Sequence, residues 1–168
     1  MSDSIVTEIQ SLSPDAIIEL FEIEVGTEVF RFHAGTNDLR TGIIFGRRDL
    51  PIQDITYHPY PIEASGFQKT GEGTLPRPIL RISNLLNIIG VMSVIPGTHA
   101  DLVGSKVRRI RTFKKFLNSE NFGSNNPSED PEAKFPSEYY VIERKSHESR
   151  DLLEFELAVP WDLQNVKL

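Results

Sequence analysis

The chain has 168 residues, of which 39% are hydrophobic and 25% charged, a composition that is ordinary for a globular domain with a buried core. It contains no cysteine, which excludes disulfides, a thiolate nucleophile, a cysteine zinc site and an iron–sulfur site within these residues. A net charge of -6 argues against a general nucleic-acid binder.

The hydropathy pattern gives no sign of a membrane segment. The longest apolar stretch, Leu85–Ile95, is interrupted by polar residues and is shorter than the roughly 20 residues that span a bilayer. The N-terminal residues are acidic and lack the basic and apolar regions of a signal peptide. We therefore expect a protein that is made and acts without crossing a membrane.

The first element is a short N-terminal helix or arm over residues 1–13. Within Ser2–Ser11, Ile5 and Ile9 lie four residues apart with acids in the first turn, and Pro14 ends the helical pattern.

A two-residue period follows over Ile17–Val25 and predicts a half-buried strand. The residues expected to face inward are Ile17, Phe21, Ile23 and Val25, with Glu22 and Glu24 facing away. Gly26-Thr27-Glu28 predicts a turn into a second strand over Val29–His33, and a brief third strand is predicted at Gly42–Phe45.

The stretch Tyr60–Asn84 is rich in glycine and proline and raises the possibility of a phosphate loop. Gly71-Glu72-Gly73 lacks the third glycine of a dinucleotide fingerprint, and the residue before Lys69 is Gln68 instead of the P-loop glycine. We interpret the stretch as a strand, a structural turn and a returning strand with Leu80 and Ile82 inward. The turn residues are Gly66, Gly71, Gly73, Pro76 and Pro78.

Arg77 is placed between two of these prolines. The proline that follows it favours an extended backbone, which would present the guanidinium outward at a defined angle. We expect Arg77 to form a subunit contact or an internal carboxylate clasp.

The remaining chain predicts a basic strand, a long loop and a hairpin. Short helices or turns are expected over residues 84–104, and then a basic strand over Val107–Leu117. Residues 118–137 form a polar, proline-rich loop that we expect to order on a partner. Tyr139–Lys145 and Leu152–Val159 predict a closing hairpin. Together these elements predict one mainly β domain over residues 1–168, an antiparallel sandwich or barrel with a few short helices.

No constellation of catalytic residues is apparent. The histidines are far apart without metal-ligand spacing, no Gly-x-Ser-x-Gly motif occurs, and Glu154 and Glu156 lie on the predicted outward face of a strand. We therefore predict no enzyme activity, no metal and no cofactor.

The charges are unevenly distributed. Residues 1–30 hold seven acids and no lysine or arginine, whereas residues 106–115 are strongly basic. This polarity could match one subunit face to another, or it could reflect two solvated edges of one monomer. Cations interleaved with Phe113 and Phe116 also leave open a nucleic-acid-binding module that uses residues 106–116.

Several motifs in the chain resemble those of the minor tail protein L family of lambda-like phages. In chain order these motifs are Tyr60-Pro61-Ile62, Ser65-Gly66-Phe67, Gly71-Glu72-Gly73-Thr74, Arg77-Pro78 and Ser83-Asn84, then Asp101–Arg109, Asn121-Phe122, Asp130-Pro131-Glu132, Phe155–Ala158 and Asp162–Leu168. The first 50 residues match that family only in their strand pattern. Family members commonly continue into a cysteine-bearing segment that holds an iron–sulfur cluster, and no cluster ligand transfers to this sequence because it has no cysteine.

The resemblance implies a virion structural protein of the tail tip or baseplate of a long non-contractile-tailed phage, made in the host cytoplasm, with a tail-tube-like or hub-like β fold. It implies a trimer or six-fold ring that contacts the distal tail ring protein, the central hub or fibre protein and the tape-measure protein. We expect no membrane contact, and direct nucleic-acid binding is the alternative function. An enzyme of unrecognised fold is a third hypothesis, which a screen for glycan hydrolysis would test.

The residues expected at subunit contacts are Arg77, Arg108, Arg109, Arg111, Lys114, Lys115, Phe122 and Asp130. Charge reversal at Arg109 and Arg111 is expected to block incorporation into particles while leaving the isolated domain folded.

Overall fold

The structure is a computed structural model that describes residues 2–35, 42–46, 55–68, 77–84 and 101–160. Its described elements are one α-helix, two short 3-10 helices and nine strands. In chain order they are α1 (Asp3–Ile9), β1 (Ile17–Val25), β2 (Glu28–His33), β3 (Ile43–Ile44), β4 (Thr56–Pro59), β5 (Ile62–Ser65), β6 (Ile79–Ser83), β7 (Lys106–Phe113), 3-10 helices Lys114–Phe116 and Ser119–Phe122, β8 (Glu138–Glu148) and β9 (Leu152–Ala158).

The described strands are hydrogen-bonded in the order β3-β4-β2-β1-β7-β8-β9-β6-β5. This arrangement confirms the predicted mainly β class. The sheet is mixed instead of wholly antiparallel, because β2 and β4 run parallel. Its order has two ends, β3 and β5, so the described strands form an open sheet and not a closed barrel.

Packing divides the chain into two compact units. The first consists of Met1–Phe21, Arg31–Pro59 and Arg109–Glu138; the second consists of Glu22–Phe30, Tyr60–Arg108 and Tyr139–Leu168. That the 168 residues act as one domain stays a prediction.

The first unit has two apolar clusters. One joins the first half of β1 to β3, β4 and β7, and its buried members are Ile18, Leu20, Ile43, Phe45, Tyr57, Ile110 and Leu117. The other joins α1 to the end of β7, with Ile5, Phe113, Phe116 and Ala133 buried and Phe135 packed against them. The predicted N-terminal helix is present, and it is held here by Ile5, which is fully buried.

Strand β1 departs from the predicted alternation. Ile17, expected inward, is 51% exposed, whereas Ile18 and Leu20 are fully buried. Leu20 and Phe21 are both buried, so the inward positions change from even to odd along the strand. The physical reason is that Ile18 and Leu20 pack into the first apolar cluster, and this tertiary contact outweighs a strict two-residue period.

In the second unit β5, β6, β8 and β9 confirm two of the predicted pairs. β5 pairs antiparallel with β6, and β6 and β8 flank β9, also antiparallel. Leu80, Ile82, Leu153, Phe155 and Leu157 are buried as predicted. The middle of the turn between β5 and β6, residues 69–76 with Gly71, Gly73 and Pro76, lies outside the described residues. The same is true of residues 85–100, where short helices or turns are predicted.

The basic strand is shorter than predicted. β7 ends at Phe113, and Lys114–Phe116 forms a 3-10 turn. One packing contact and one hydrogen bond favour this turn. It buries Phe116 beside Phe113, and the Lys114 N–H donates to the Ala16 carbonyl at 2.9 Å.

Candidate subunit interface

The cations of β7 in the first unit are held by carboxylates of the same chain. Arg109 lies between two acids: its Nη2 contacts Glu19, and its Nη1 lies 2.9 Å from Glu138 Oε2. Arg111 reaches the other oxygen of Glu138 at 3.0 Å and lies over the Phe135 ring. With 10% of its side chain exposed, Arg109 is largely removed from solvent.

A second set of ionic contacts fixes α1. Lys115 contacts Glu8, a carboxylate that is almost fully buried. The Asp15 N–H also donates to Glu8, and the Lys115 N–H donates to Asp15, at 2.9 and 2.8 Å. Because the Lys115 ammonium and the Asp15 N–H both donate to its carboxylate, the pKa of Glu8 is lowered from the ordinary 4.5.

In the second unit the β7 cations also pair with acids of β1. Lys106 Nζ lies 2.9 Å from Glu24 Oε1, and Arg108 Nη1 lies 3.1 Å from Glu22 Oε2. Arg108 also lies over the Tyr139 ring, 5.7 Å from its centroid.

The acidic N-terminal region and the basic segment are therefore complementary, as the sequence suggested, but their contacts lie inside one chain. From the sequence we considered a charge match between subunits or two separate solvated edges. Neither arrangement includes ion pairs between the acidic and the basic segment of the same chain. Charge reversal of Arg109 would place a carboxylate beside Glu19 and Glu138. These contacts argue against the expectation that the charge-reversed domain stays folded, which is itself an untested prediction.

Arg77 contacts a carboxylate across the sheet of the second unit. Its Nη1 lies 3.3 Å from Glu143 Oε2, and 59% of its side chain is exposed. Pro78 is buried, and its carbonyl accepts from Leu157 N–H at 2.8 Å. Gly66 has φ +80, and a Cβ there would lie 3.4 Å from the Arg77 carbonyl, which explains a glycine at this position.

The outward carboxylates of β9 are ion-paired instead of simply solvated. Arg81 Nε lies 2.8 Å from Glu154, and Arg144 lies 2.5 Å from Glu156. The pKa of Glu154 is lowered by the hydroxyl of Ser146 and by Arg81, and the pKa of Glu156 is lowered by Arg144. These pairs stabilise the charged form of each carboxyl group and offer no proton donor for acid catalysis.

The loop over residues 118–137 is anchored within its own unit. Thr112 Oγ1 donates to the Ala133 carbonyl at 2.5 Å, and Phe135 N–H donates to Arg111 O at 2.9 Å. Asp130 accepts from Ser4 Oγ at 2.6 Å. The loop thus has intrachain order without a partner subunit, and its ordering on a neighbour stays a prediction.

Exposed apolar side chains form a surface on and after α1 that we did not include among the contact residues expected from the sequence. Val6 and Ile9 on α1 are 40% and 48% exposed, and Leu12 and Ile17 are exposed as well. Val6 and Ile9 are three residues apart, so they share a helix face that differs from the buried face of Ile5 and Glu8. Phe122, which was expected at a contact, is 37% exposed.

Within the described ranges, no group of three or more histidine, aspartate or glutamate side chains is arranged to hold a metal ion. None of the helices in those ranges has the length and hydropathy needed to cross a membrane.

Comparison with known proteins gives two concordant matches. The family model described as phage minor tail protein L matches residues 23–168. The chain is also similar to tail tip protein L of Escherichia phage lambda, with 34% identity over 148 residues that cover 86% of this chain. These residues span 59% of the length of that relative. The match begins within β1, at Ile23, and extends over β2 to β9 and the loop that carries Phe122 and Asp130. The chain belongs to the phage minor tail protein L family.

Proposed function

We propose that this protein is a structural component of the phage tail tip. The observation that carries the proposal is the family match over residues 23–168, supported by the similarity to a protein named for the tail tip. The protein would act by binding its neighbours in the virion and would catalyse no reaction.

The proposed position is in the tail tip or baseplate of a long non-contractile-tailed phage, between the distal tail-tube ring and the central hub and fibre. The protein would form a trimer or a six-fold ring, with the tape-measure protein as a further neighbour. We further propose that the protein is synthesised in the host cytoplasm and then assembles into the virion.

The intrachain pairing of the β7 cations changes which residues we propose for subunit contacts. Arg109 and Arg111 are engaged with Glu138, so their main contribution is to hold β7 to its neighbours. The exposed apolar face of α1 and the exposed Phe122 ring can lose water on docking without breaking an internal ion pair. We propose these surfaces as contacts. Arg77 stays a proposed contact through the exposed 59% of its side chain, although its Nη1 is paired with Glu143.

The nucleic-acid alternative loses its main support from the same geometry. Lys106, Arg108, Arg109, Arg111 and Lys115 each contact a carboxylate of their own chain. Phosphate binding would have to compete with these carboxylates. We expect binding to duplex DNA to be undetectable even at low salt.

A deletion of the gene, complemented in trans, tests the structural role. We expect phage without the protein to yield no infectious particles and to carry incomplete tails, and we expect the wild-type gene on a plasmid to restore infectivity. A phage that forms complete, infectious tails without this protein would overturn the proposal.

A further inference from the structure

We propose that Asn118 and Asn121 together occupy the edge of β3 that is open in the described strand order, and that they thereby prevent a second copy of this chain from pairing with it as a further strand. This inference concerns self-association in solution and does not rest on the tail-tip role. It arises from a set of side-chain contacts in the first unit that neither the core nor the ion pairs explain.

β3 stands at one end of the described strand order, with β4 as its antiparallel neighbour. The Phe45 N–H donates to the Ile55 carbonyl at 3.3 Å, so the backbone of Phe45 faces the β4 side. Successive residues of an antiparallel strand direct their N–H and C=O groups to opposite sides. Ile44 therefore directs its N–H and C=O away from β4, to the side that is open in the described strand order and where an incoming strand would bind. Gly46 lies just beyond the end of β3.

Asn121 satisfies both backbone groups of Ile44. Its Oδ1 accepts from the Ile44 N–H at 2.8 Å, and its Nδ2 donates to the Ile44 carbonyl at 2.7 Å. The second Nδ2 proton goes to the Asn118 carbonyl at 2.8 Å. Because both neighbours of Nδ2 are carbonyl oxygens, only this orientation of the amide satisfies all its partners.

Asn118 makes the same pair of contacts two residues further along the edge. Its Oδ1 accepts from the Gly46 N–H at 3.1 Å, and its Nδ2 lies 3.4 Å from the Gly46 carbonyl. Glu129 Oε1 accepts from the same Nδ2 at 3.2 Å. The Glu129 carboxylate also accepts from the Ser119 N–H. Because an ionised carboxylate only accepts hydrogen bonds, the Asn118 atom that faces it must be the donor Nδ2, which fixes the orientation of the amide.

The segment that presents the two amides is itself held in place. Asn126 Nδ2 donates to the carbonyls of Lys115 and Leu117, each at 2.8 Å, and Asn118 is buried. A primary amide carries one donor group and one acceptor, as a peptide unit does. Two such amides, one on Ile44 of β3 and one on Gly46 just beyond the end of the strand, therefore supply the hydrogen bonds that a neighbouring strand would make at these two residues.

Replacing both asparagines with leucine tests the proposal, since leucine keeps the branching at Cγ and removes the donor and the acceptor of each side-chain amide. We expect the double variant Asn118→Leu/Asn121→Leu to self-associate at least about tenfold more tightly than the wild type in sedimentation velocity, because the backbone groups of Ile44 and Gly46 become available to a second chain. Asn125→Leu is the control for an added leucine, because Asn125 is exposed in the same loop.

A second control separates edge opening from general loss of stability. Arg81→Met removes the ion pair with Glu154 in the second unit, whereas the two asparagines belong to the first unit. At temperatures where both variants are equally far below their Tm, the asparagine variant should associate more strongly. Equal association of the two variants, or no more association than Asn125→Leu shows, would overturn the proposal.

Hydrogen exchange of the wild-type protein gives a test that does not depend on whether the variants fold. In the dilute wild-type protein, the Ile44 and Gly46 amides should exchange at least about tenfold more slowly than in an unstructured chain, as expected for satisfied donors. In Asn121→Leu at low concentration, the Ile44 amide should lose this protection while Phe45 keeps it. Unprotected Ile44 and Gly46 amides in the wild type would overturn the proposal.

Discussion

Arg109 is the β7 cation that we expect to matter most for folding, because little of it remains in contact with water. Its side chain is 10% exposed, whereas that of Lys106 is 68% exposed. Arg109→Met should lower the free energy of unfolding by about 2 kcal/mol, since Glu19 and Glu138 each lose their contact with this guanidinium. Urea denaturation measures this change.

Lys106→Met is the matched control, because it removes an exposed ion pair from the same strand. We expect a change below about 0.5 kcal/mol, as for most surface pairs. Equal losses in the two variants would contradict the view that burial makes Arg109 structural.

Glu8 predicts how stability responds to acid. Its pKa is lowered in the folded state by Lys115 and by the Asp15 N–H, so folding favours the charged carboxylate. A carboxyl group with a lowered pKa stabilises the fold above its ordinary value of 4.5, and this contribution is lost as the pH falls through the folded pKa. Glu154 and Glu156 act in the same direction.

The Tm of the wild type should therefore fall as the pH is lowered below about 4.5, and Glu8→Gln should show a shallower fall. At pH 7 the variant should melt at a lower temperature than the wild type, and the difference in Tm should narrow as the pH falls through the lowered pKa of Glu8. A Tm difference that stays constant from pH 7 to pH 3 would show that the charge of Glu8 does not contribute.

At the scale of elements, the contact between β7 and the loop over residues 118–137 depends on a buried hydroxyl. Thr112 is fully buried and donates to the Ala133 carbonyl. Thr112→Val keeps the shape and removes the donor, so the free energy of unfolding should fall by about 1–3 kcal/mol. Thr7→Val is the control, because Thr7 makes a similar bond to the Asp3 carbonyl on the exposed surface of α1. A loss as large at Thr7 would count against the role of burial.

The elements that the sequence predicts well are those whose pattern is local. The alternation of Leu153, Phe155 and Leu157 defines β9, and Gly26 with φ +61 marks the predicted turn between β1 and β2. These features depend on neighbours along the chain, so a single sequence contains the signal.

The features that sequence reasoning misses depend on residues far apart in the chain. Arg109 meets Glu19 across 90 positions, and Asn121 meets Ile44 across 77. The inward shift within β1 likewise follows from packing partners that its own period does not show. The exposed apolar face of α1 could have been predicted, because Val6 and Ile9 are three residues apart and therefore lie on one face of a helix. From the sequence we considered only the spacing of Ile5 and Ile9.

At the scale of the whole molecule, the exposed face of α1 links the fold to the proposed assembly. Val6→Glu/Ile9→Glu should leave the free energy of unfolding within about 0.5 kcal/mol of the wild type, because both side chains are already exposed. If this face docks on a neighbour, two charges there should lower incorporation into particles about tenfold or more. Immunoblots of purified particles measure incorporation.

Gln10→Glu is the control, since it adds a charge next to α1 at an exposed polar position. Its incorporation should match that of the wild type. Normal incorporation of the double variant would exclude the α1 face as a contact and would leave the tail-tip role itself untouched.

The central claim is that the protein is part of the tail tip, and its location in the virion tests that claim most directly. Gold-labelled antibody against this chain, imaged on purified phage by electron microscopy, should bind at the end of the tail distant from the capsid. Labelling of the capsid, or virions that contain none of this protein, would contradict the account.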